Sequence, residues 1–332
     1  MPVVNQLAAW ARGAAARVPR SALRAAGAAL ATLTTLFVVL EIVRQWDELT
    51  AVVRTANPWW LVVSGLVFAV GEVAYAFAWP ATLRRAGHPV APGAAGAAFL
   101  VTQSAKFVPG SVWQHVGRIG TSERLGVPKR VVAGSMVVEV ASSVAAALFL
   151  AGVVGTVVPL VVDDAGPAWR AVELAAAVAA VVVVPEIGRR VAGRVGGSPL
   201  IERGPLAVIV AWHVAVWATY GVGAGMLSIG LGGPLWPAVG AFTFSWVCGL
   251  VVVGAPAGLG VREAVMAASL TPVAGADVAL AVTVGSRAVW TVVQLAGAGV
   301  GVAFLSRRRA RSAGEEPAAS AAPDDAAPPV PC

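Results

Sequence analysis

Lys106-Phe-Val-Pro109-Gly110-Ser-Val-Trp113-Gln-His115-Val-Gly117-Arg118 and Gly254-Ala-Pro256-Ala-Gly258-Leu-Gly260-Val-Arg262-Glu263 are the stretches on which the reading of this chain turns. Each sets helix breakers and charges against long apolar runs. Irregular backbone at membrane depth survives only where protein buries it or a watery cavity solvates it. These two segments are therefore the expected place for a polar substrate path, provided that the surrounding chain is membrane-embedded.

It is. Mean hydropathy is +0.79, and only 12% of the residues are charged. Several apolar runs reach about 20 residues, enough to cross roughly 30 Å of hydrocarbon. The first begins near Leu23, behind Arg12, Arg17, Arg20 and Arg24. It resembles the start of a signal peptide but extends to Val43 without a clear cleavage site, so it reads as a retained helix. The net charge of +7 does not point to nucleic acid, because the cations gather at the ends of hydrophobic runs. Cys248 and Cys332 make neither a disulfide framework nor a metal site.

The expected fold is all-α, a polytopic membrane bundle of about eight helices at the length that hydrocarbon thickness demands. The spans fall near 23–43, 59–79, 131–158, 168–185, 205–229, 234–254, 257–271 and 277–305, the seventh being the weakest. The Ala- and Gly-rich stretch 91–107 is too weak to cross alone and reads as re-entrant. Lys and Arg in short loops set orientation. The N-terminal arginines, Arg84 and Arg85, Arg189 to Arg203, and Arg307 to Arg311 mark the cytoplasmic side. Arg118, Arg124, Lys129 and Arg130 join them only if 91–107 is re-entrant. The loop with Asp163 and Asp164 suits the outside. Both termini are then cytoplasmic, with a basic segment 1–22, a membrane domain 23–305 and a disordered tail 306–332. Trp46, Trp59, Trp60, Trp79, Trp169 and Trp236 stand near span ends, where indoles favour the headgroup zone.

A charge at mid-membrane costs roughly 2.5–3.5 kcal/mol on insertion scales, so each needs a reason. Glu72, Glu139 and Arg287 lie inside spans. Two readings stay open: Glu–Arg locks between helices, or the lining of a hydrated headgroup route. His213 reads as an interhelical hydrogen-bonding group. Lys106, Arg118 and Arg262 flank the breaks, where an Arg fork suits phosphate in two-point geometry and Lys acts as a point charge. A helix beginning after Gly258 or Gly260 aims free N–H groups at an anion, with Glu263 as a capping partner. Gly221-x-x-x-Gly225 and Gly297-x-x-x-Gly301 read as helix-packing contacts. No phosphate loop, HExxH motif or paired Cys/His spacing is present, and no cofactor or metal is expected.

At these motifs the chain resembles the transmembrane region of the lysylphosphatidylglycerol synthase family, the flippase-like integral membrane proteins. The likeness rests on Lys106-x-x-Pro109-Gly110 with Gly117-Arg118, on Pro256-Ala-Gly258-Leu-Gly260-Val-Arg262-Glu263, and on Arg287 in the closing span, and it covers about 20–305. The resemblance implies a helical domain of the cell membrane that moves or holds an anionic phospholipid or a lipid-linked molecule. Lys106, Arg118, Arg262 and Arg287 would attract the phosphate; Glu72, Glu139 and Glu263 would neutralise those arginines or meet a cationic headgroup. Two-part relatives append an aminoacyl-transferase. None is expected here, so the chain reads as a translocator rather than an enzyme. The alternatives are a membrane enzyme or subunit of envelope-lipid aminoacylation or glycosylation, and a non-transporting scaffold that docks a separate synthase. A homo-oligomer is a further expected partner. The two Pro-Gly segments also invite comparison as halves of an inverted repeat, because transporters place broken helices in corresponding positions of two halves.

Overall fold

The computed structural model describes residues 54, 57–107, 113–157, 167–196, 200–251 and 260–314, so the span expected at 23–43 lies outside the described residues. These residues form ten helices and no strand. In chain order they are α1 (Pro58–Arg85), α2 (Pro92–Gln103), α3 (Trp113–Gly120), α4 (Ser122–Leu125), α5 (Lys129–Val157), α6 (Pro167–Gly196), α7 (Arg203–Gly230), α8 (Leu235–Val251), α9 (Val261–Ala274) and α10 (Ala276–Gly314). A 3₁₀ turn, Ser104–Phe107, ends α2. Five helices, α1, α5, α6, α7 and α10, are long and apolar enough to cross a membrane; α8 is a shorter apolar helix.

The bundle is organised by antiparallel pairs. The Asn57 N–H at the start of α1 donates to Gly230 at the end of α7 (3.0 Å), and Ser64 Oγ donates to the Gly223 carbonyl (2.8 Å). At the other end Trp212 Nε1 reaches the Ala74 carbonyl (2.9 Å). Trp79 on α1 donates to Ser135 on α5 (3.1 Å), so α5 starts where α1 ends. This places Trp79 in the core rather than among the interfacial indoles expected, whereas Trp59 and Trp236 are exposed near helix starts.

Helices α2 and α3 form a hairpin that enters and leaves at one end. At about 1.5 Å per residue α2 spans only about 18 Å, well short of the hydrocarbon thickness. It starts beside the end of α1; α3 then turns back, with Arg118 Nη2 donating to Gln103 on α2 (3.2 Å), and hands the chain to α5. The stretch 91–107 is therefore re-entrant. Helices α8 and α9 repeat this design from the opposite end, since α8 begins where α7 finishes and α9 ends at Gly275, where a positive φ of 80° turns the chain into α10. The expected crossing 257–271 is thus the returning arm of a second hairpin.

The halves match. Helix, hairpin, helix occurs as α1, α2–α3, α5 and again as α7, α8–α9, α10. Because α1 and α7 run antiparallel, the repeat is inverted. Each hairpin packs on the far half: α2 against α10, α8 against α5. Both helix-packing glycine pairs serve these contacts. Gly221 and Gly225 of α7 face Val239 and Leu235 of α8; Gly297 and Gly301 of α10 face Leu100 and Ala97 of α2. A Cβ on Gly301 would stand 2.8 Å from the Ala97 carbonyl oxygen, whereas one on Gly299 meets open space. Gly301→Ala should therefore cost about 1–3 kcal/mol by overpacking, and Gly299→Ala essentially nothing, as read by thermal unfolding in detergent.

The basic residues collect at one end: Arg84 and Arg85, Arg124, Lys129 and Arg130, Arg189, Arg190, Arg194 and Arg203, and Arg307 to Arg311. Arg54 and Arg170 stand at the other. Helix α10 continues through Gly314, so Arg307 to Arg311 close a helix rather than open a tail at 306.

Candidate functional site

The two hairpins converge on Trp290 of α10. Lys106, near the tip of the first, holds its Nζ 4.8 Å from the Trp290 ring centre. Arg262, at the start of the second hairpin's returning arm, holds its Cζ 5.0 Å from the same ring. Two cations thus share one indole, each attracted to its π cloud by about 2 kcal/mol where water is excluded. Trp290 is braced by Tyr220 (ring centres 5.1 Å) and Phe242 (5.4 Å). Pro109, Gly110 and Gly258, expected as site residues, lie outside the described residues.

Arg262 also lies 5.6 Å over Phe242. It makes no ion pair among the described residues, and its Nε is buried without a hydrogen-bond partner there. Leaving a buried donor unmade costs on the order of 1–3 kcal/mol. The pattern suits a residue whose partner is a ligand. Glu263 was expected to cap its helix, and it does: the Gly260 N–H donates to its Oε2 (2.7 Å). Its other oxygen accepts from Arg287 Nη1 and not from the adjacent Arg262. Next to this pair lies a small recess whose lining includes the buried Ser245, Met266, Thr283 and Ser286. Each of the three hydroxyls has its proton on a protein acceptor, the carbonyls of Phe242 and Ala279 and the Met266 or Thr283 acceptors near Ser286. Their remaining lone pairs are free to accept.

Arg118 belongs to a different arrangement. Sequence reading counted it with the loop charges at the basic end; it is instead buried at 1% side-chain exposure, in an ion pair with Glu139 of α5 at 2.7 Å. Its guanidinium lies over the rings of Phe99 (4.2 Å) and Trp79 (5.3 Å), and Tyr75 Oη donates to Glu139 (3.1 Å). For Glu139 the lock between elements is the reading the geometry supports. Glu72 has no Arg partner among the described residues; it accepts from Tyr220 Oη (2.7 Å) and Gln294 Nε2 (3.4 Å). His213 was expected to bond between helices, but its Nδ1 donates to the Ile209 carbonyl of its own helix (2.8 Å).

Trp290, Tyr75 and Tyr220 were not singled out from the sequence, yet a signal was available. The chain has two tyrosines; each is the eighteenth residue of a 28-residue helix, and those helices are the repeat partners α1 and α7. Each binds a buried glutamate. Formally, four cations (Lys106, Arg118, Arg262, Arg287) face three carboxylates (Glu72, Glu139, Glu263), and the excess sits at Trp290. The centre is electrostatically suited to a single anion.

No match is found among curated proteins. The family model described as the lysylphosphatidylglycerol synthase TM region matches residues 24–298, most of the chain, and the protein belongs to that family.

Proposed function

We propose that this multi-pass membrane protein binds the phosphate of a phospholipid or lipid-linked molecule at Trp290 and carries the headgroup across the cell membrane while the acyl chains stay in lipid. The observation that carries the reading is the meeting of Lys106 and Arg262 over one indole. Two half-crossing hairpins from opposite ends each bring a cation to mid-bundle, where an uncompensated charge is expensive and marks a substrate path. The role is transport rather than catalysis. Lipid is the partner it needs, and a separate synthase or a second copy is an optional one. Purified protein in vesicles carrying a fluorescent anionic phospholipid should speed its exchange between leaflets without a donor substrate or partner. Exchange at the protein-free rate sinks this reading in favour of a scaffold. Robust aminoacylated lipid from aminoacyl-tRNA and phosphatidylglycerol favours the enzyme.

The basic end is the cytoplasmic one in this proposal, because short-loop Lys and Arg stay inside. In a background lacking Cys248 and Cys332, an impermeant thiol reagent added outside cells should tag Asp277→Cys, at the opposite end, and miss Arg124→Cys. The reverse pattern inverts the orientation.

A further inference from the structure

Glu72 of α1 is a buried carboxylate, 2% exposed, with no ion pair among the described residues. Its Oε2 accepts from Tyr220 Oη of α7 (2.7 Å) and from Gln294 Nε2 of α10 (3.4 Å). Both partners are neutral donors, and a glutamine carbonyl would accept from Tyr220 equally well. An ionisable group at this depth is expensive, and these hydrogen bonds alone do not call for one. Its charge acts on the cations of the site. Of the charges felt by Lys106, that of Glu72 is the strongest, ahead of Arg262. Tyr220 packs on Trp290 with ring centres 5.1 Å apart, so one side chain separates the carboxylate from the indole that both cations share.

The other two carboxylates are committed. Glu139 is paired with Arg118, and Glu263 with Arg287. At Arg262 the influences of Arg287 and Glu263 oppose each other, as a closed pair nearby requires. What remains around Trp290 is Lys106, Arg262 and Glu72, two positive charges against one negative. A phosphodiester with an uncharged headgroup brings one negative charge and leaves this centre neutral. A phosphomonoester brings close to two at neutral pH and strands a negative charge. A headgroup with both a phosphate and an amine brings none and leaves the positive surplus in place. Stranded charge is what the interior of a membrane bundle penalises.

We propose that Glu72 sets the charge of the lipid the site accepts: with this carboxylate in place the site takes a phosphodiester lipid of one net negative charge, in preference to a lipid phosphomonoester or a zwitterionic lipid. The inference rests on the phosphate-binding reading above and names its substrate class. Lys106 and Arg262 are half-buried, whereas Trp290 and Glu72 are buried. A headgroup therefore meets the cations first, and Glu72 acts on it through charge rather than contact. The readout must be a preference between lipids, which a purely structural role for Glu72 would not move.

The test uses the full chain in phosphatidylcholine vesicles with trace fluorescent phosphatidylglycerol, phosphatidic acid or phosphatidylethanolamine, at about pH 8, where the monoester is doubly charged. Exchange between leaflets is one measurement. The shift in unfolding temperature on adding the same lipids in neutral detergent is the other, and it reads binding without transport. The parent should favour phosphatidylglycerol in both. Glu72→Gln should raise phosphatidic acid relative to phosphatidylglycerol by at least about tenfold, the effect of a unit charge roughly 12 Å away at an effective dielectric of about 20. Adding Lys106→Gln to Glu72→Gln brings the surplus back to one and should return the preference to phosphatidylglycerol, with weaker binding of both. Tyr220→Phe removes a hydrogen bond but no charge and should keep the parental order. If Glu72→Gln does not fold, Lys106→Gln alone serves: with no surplus left, phosphatidylglycerol should fall to the level of phosphatidylethanolamine. An unchanged ratio of phosphatidylglycerol to phosphatidic acid in Glu72→Gln, or equal responses of the parent to all three lipids, overturns the proposal and leaves Glu72 a structural acceptor. A switched order of unfolding shifts without exchange of any lipid keeps the charge selection and sinks the transporter reading; exchange with the same order in parent and Glu72→Gln does the converse.

Discussion

Arg262→Lys is expected to insert and fold as the parent does and yet to lose lipid exchange by at least about tenfold, the cost of a charge-assisted contact reduced from two points to one. Arg262→Ala should be only slightly worse. The guanidinium carbon lies 5.0 Å from the Trp290 ring centre and 5.6 Å from that of Phe242, with a buried Nε free among the described residues. A planar fork can keep its contact with the aromatic rings and still present paired donors to phosphate, whereas an ammonium is a point charge with a stronger hold on water. Glu263 does not neutralise Arg262, since its oxygens are taken by the Gly260 N–H and Arg287. Arg308→Lys, in the basic end of α10, is the control and should be silent. Exchange at the parental rate by Arg262→Lys would reduce Arg262 to an interfacial charge.

Much of this site was legible before the fold was. Proline and glycine beside cations mark breaks in hydrophobic runs, because lipid tolerates free backbone groups only in protein or water. That argument finds Lys106 and Arg262, and parity of basic loops finds the re-entrant turn at 91–107. What the argument lacks is distance. Lys106 and Trp290 meet only because α2 packs on α10, a contact between halves that no local pattern encodes. Trp290 itself sits in an ordinary apolar helix, where an indole reads as core or lipid anchor. Arg118 was misplaced for a related reason: eight residues of α3 are too few to display burial, and a cation before Arg124 and Lys129 looks like one more loop charge.

The pair Arg118–Glu139 carries the largest expected effect on stability, and the two ways of breaking it should differ. Removing one partner of a buried pair costs about 3–5 kcal/mol, since the survivor keeps its desolvation penalty without its Coulombic return. The survivors are unlike. After Arg118→Met the remaining Glu139 can take up a proton and stay neutral, still hydrogen-bonded by Tyr75. After Glu139→Gln the remaining Arg118 cannot shed its charge, and its neighbours are two aromatic rings and the Gln103 amide. Glu139→Gln should therefore be the more damaging in thermal unfolding in detergent. The double replacement Arg118→Met with Glu139→Gln should recover much of the loss, because no charge is left behind. The surface pair Lys129–Glu123 sets the scale at the other extreme. Its side chains are 62% and 79% exposed at 2.9 Å, and although the Lys129 hydrogen bond holds the Glu123 carboxyl below its ordinary pKa, Glu123→Gln should leave the unfolding temperature unchanged. Equal losses for Arg118→Met and Glu139→Gln, with no recovery in the double variant, would mean that the cost comes from packing around Phe99 and Trp79 rather than from stranded charge.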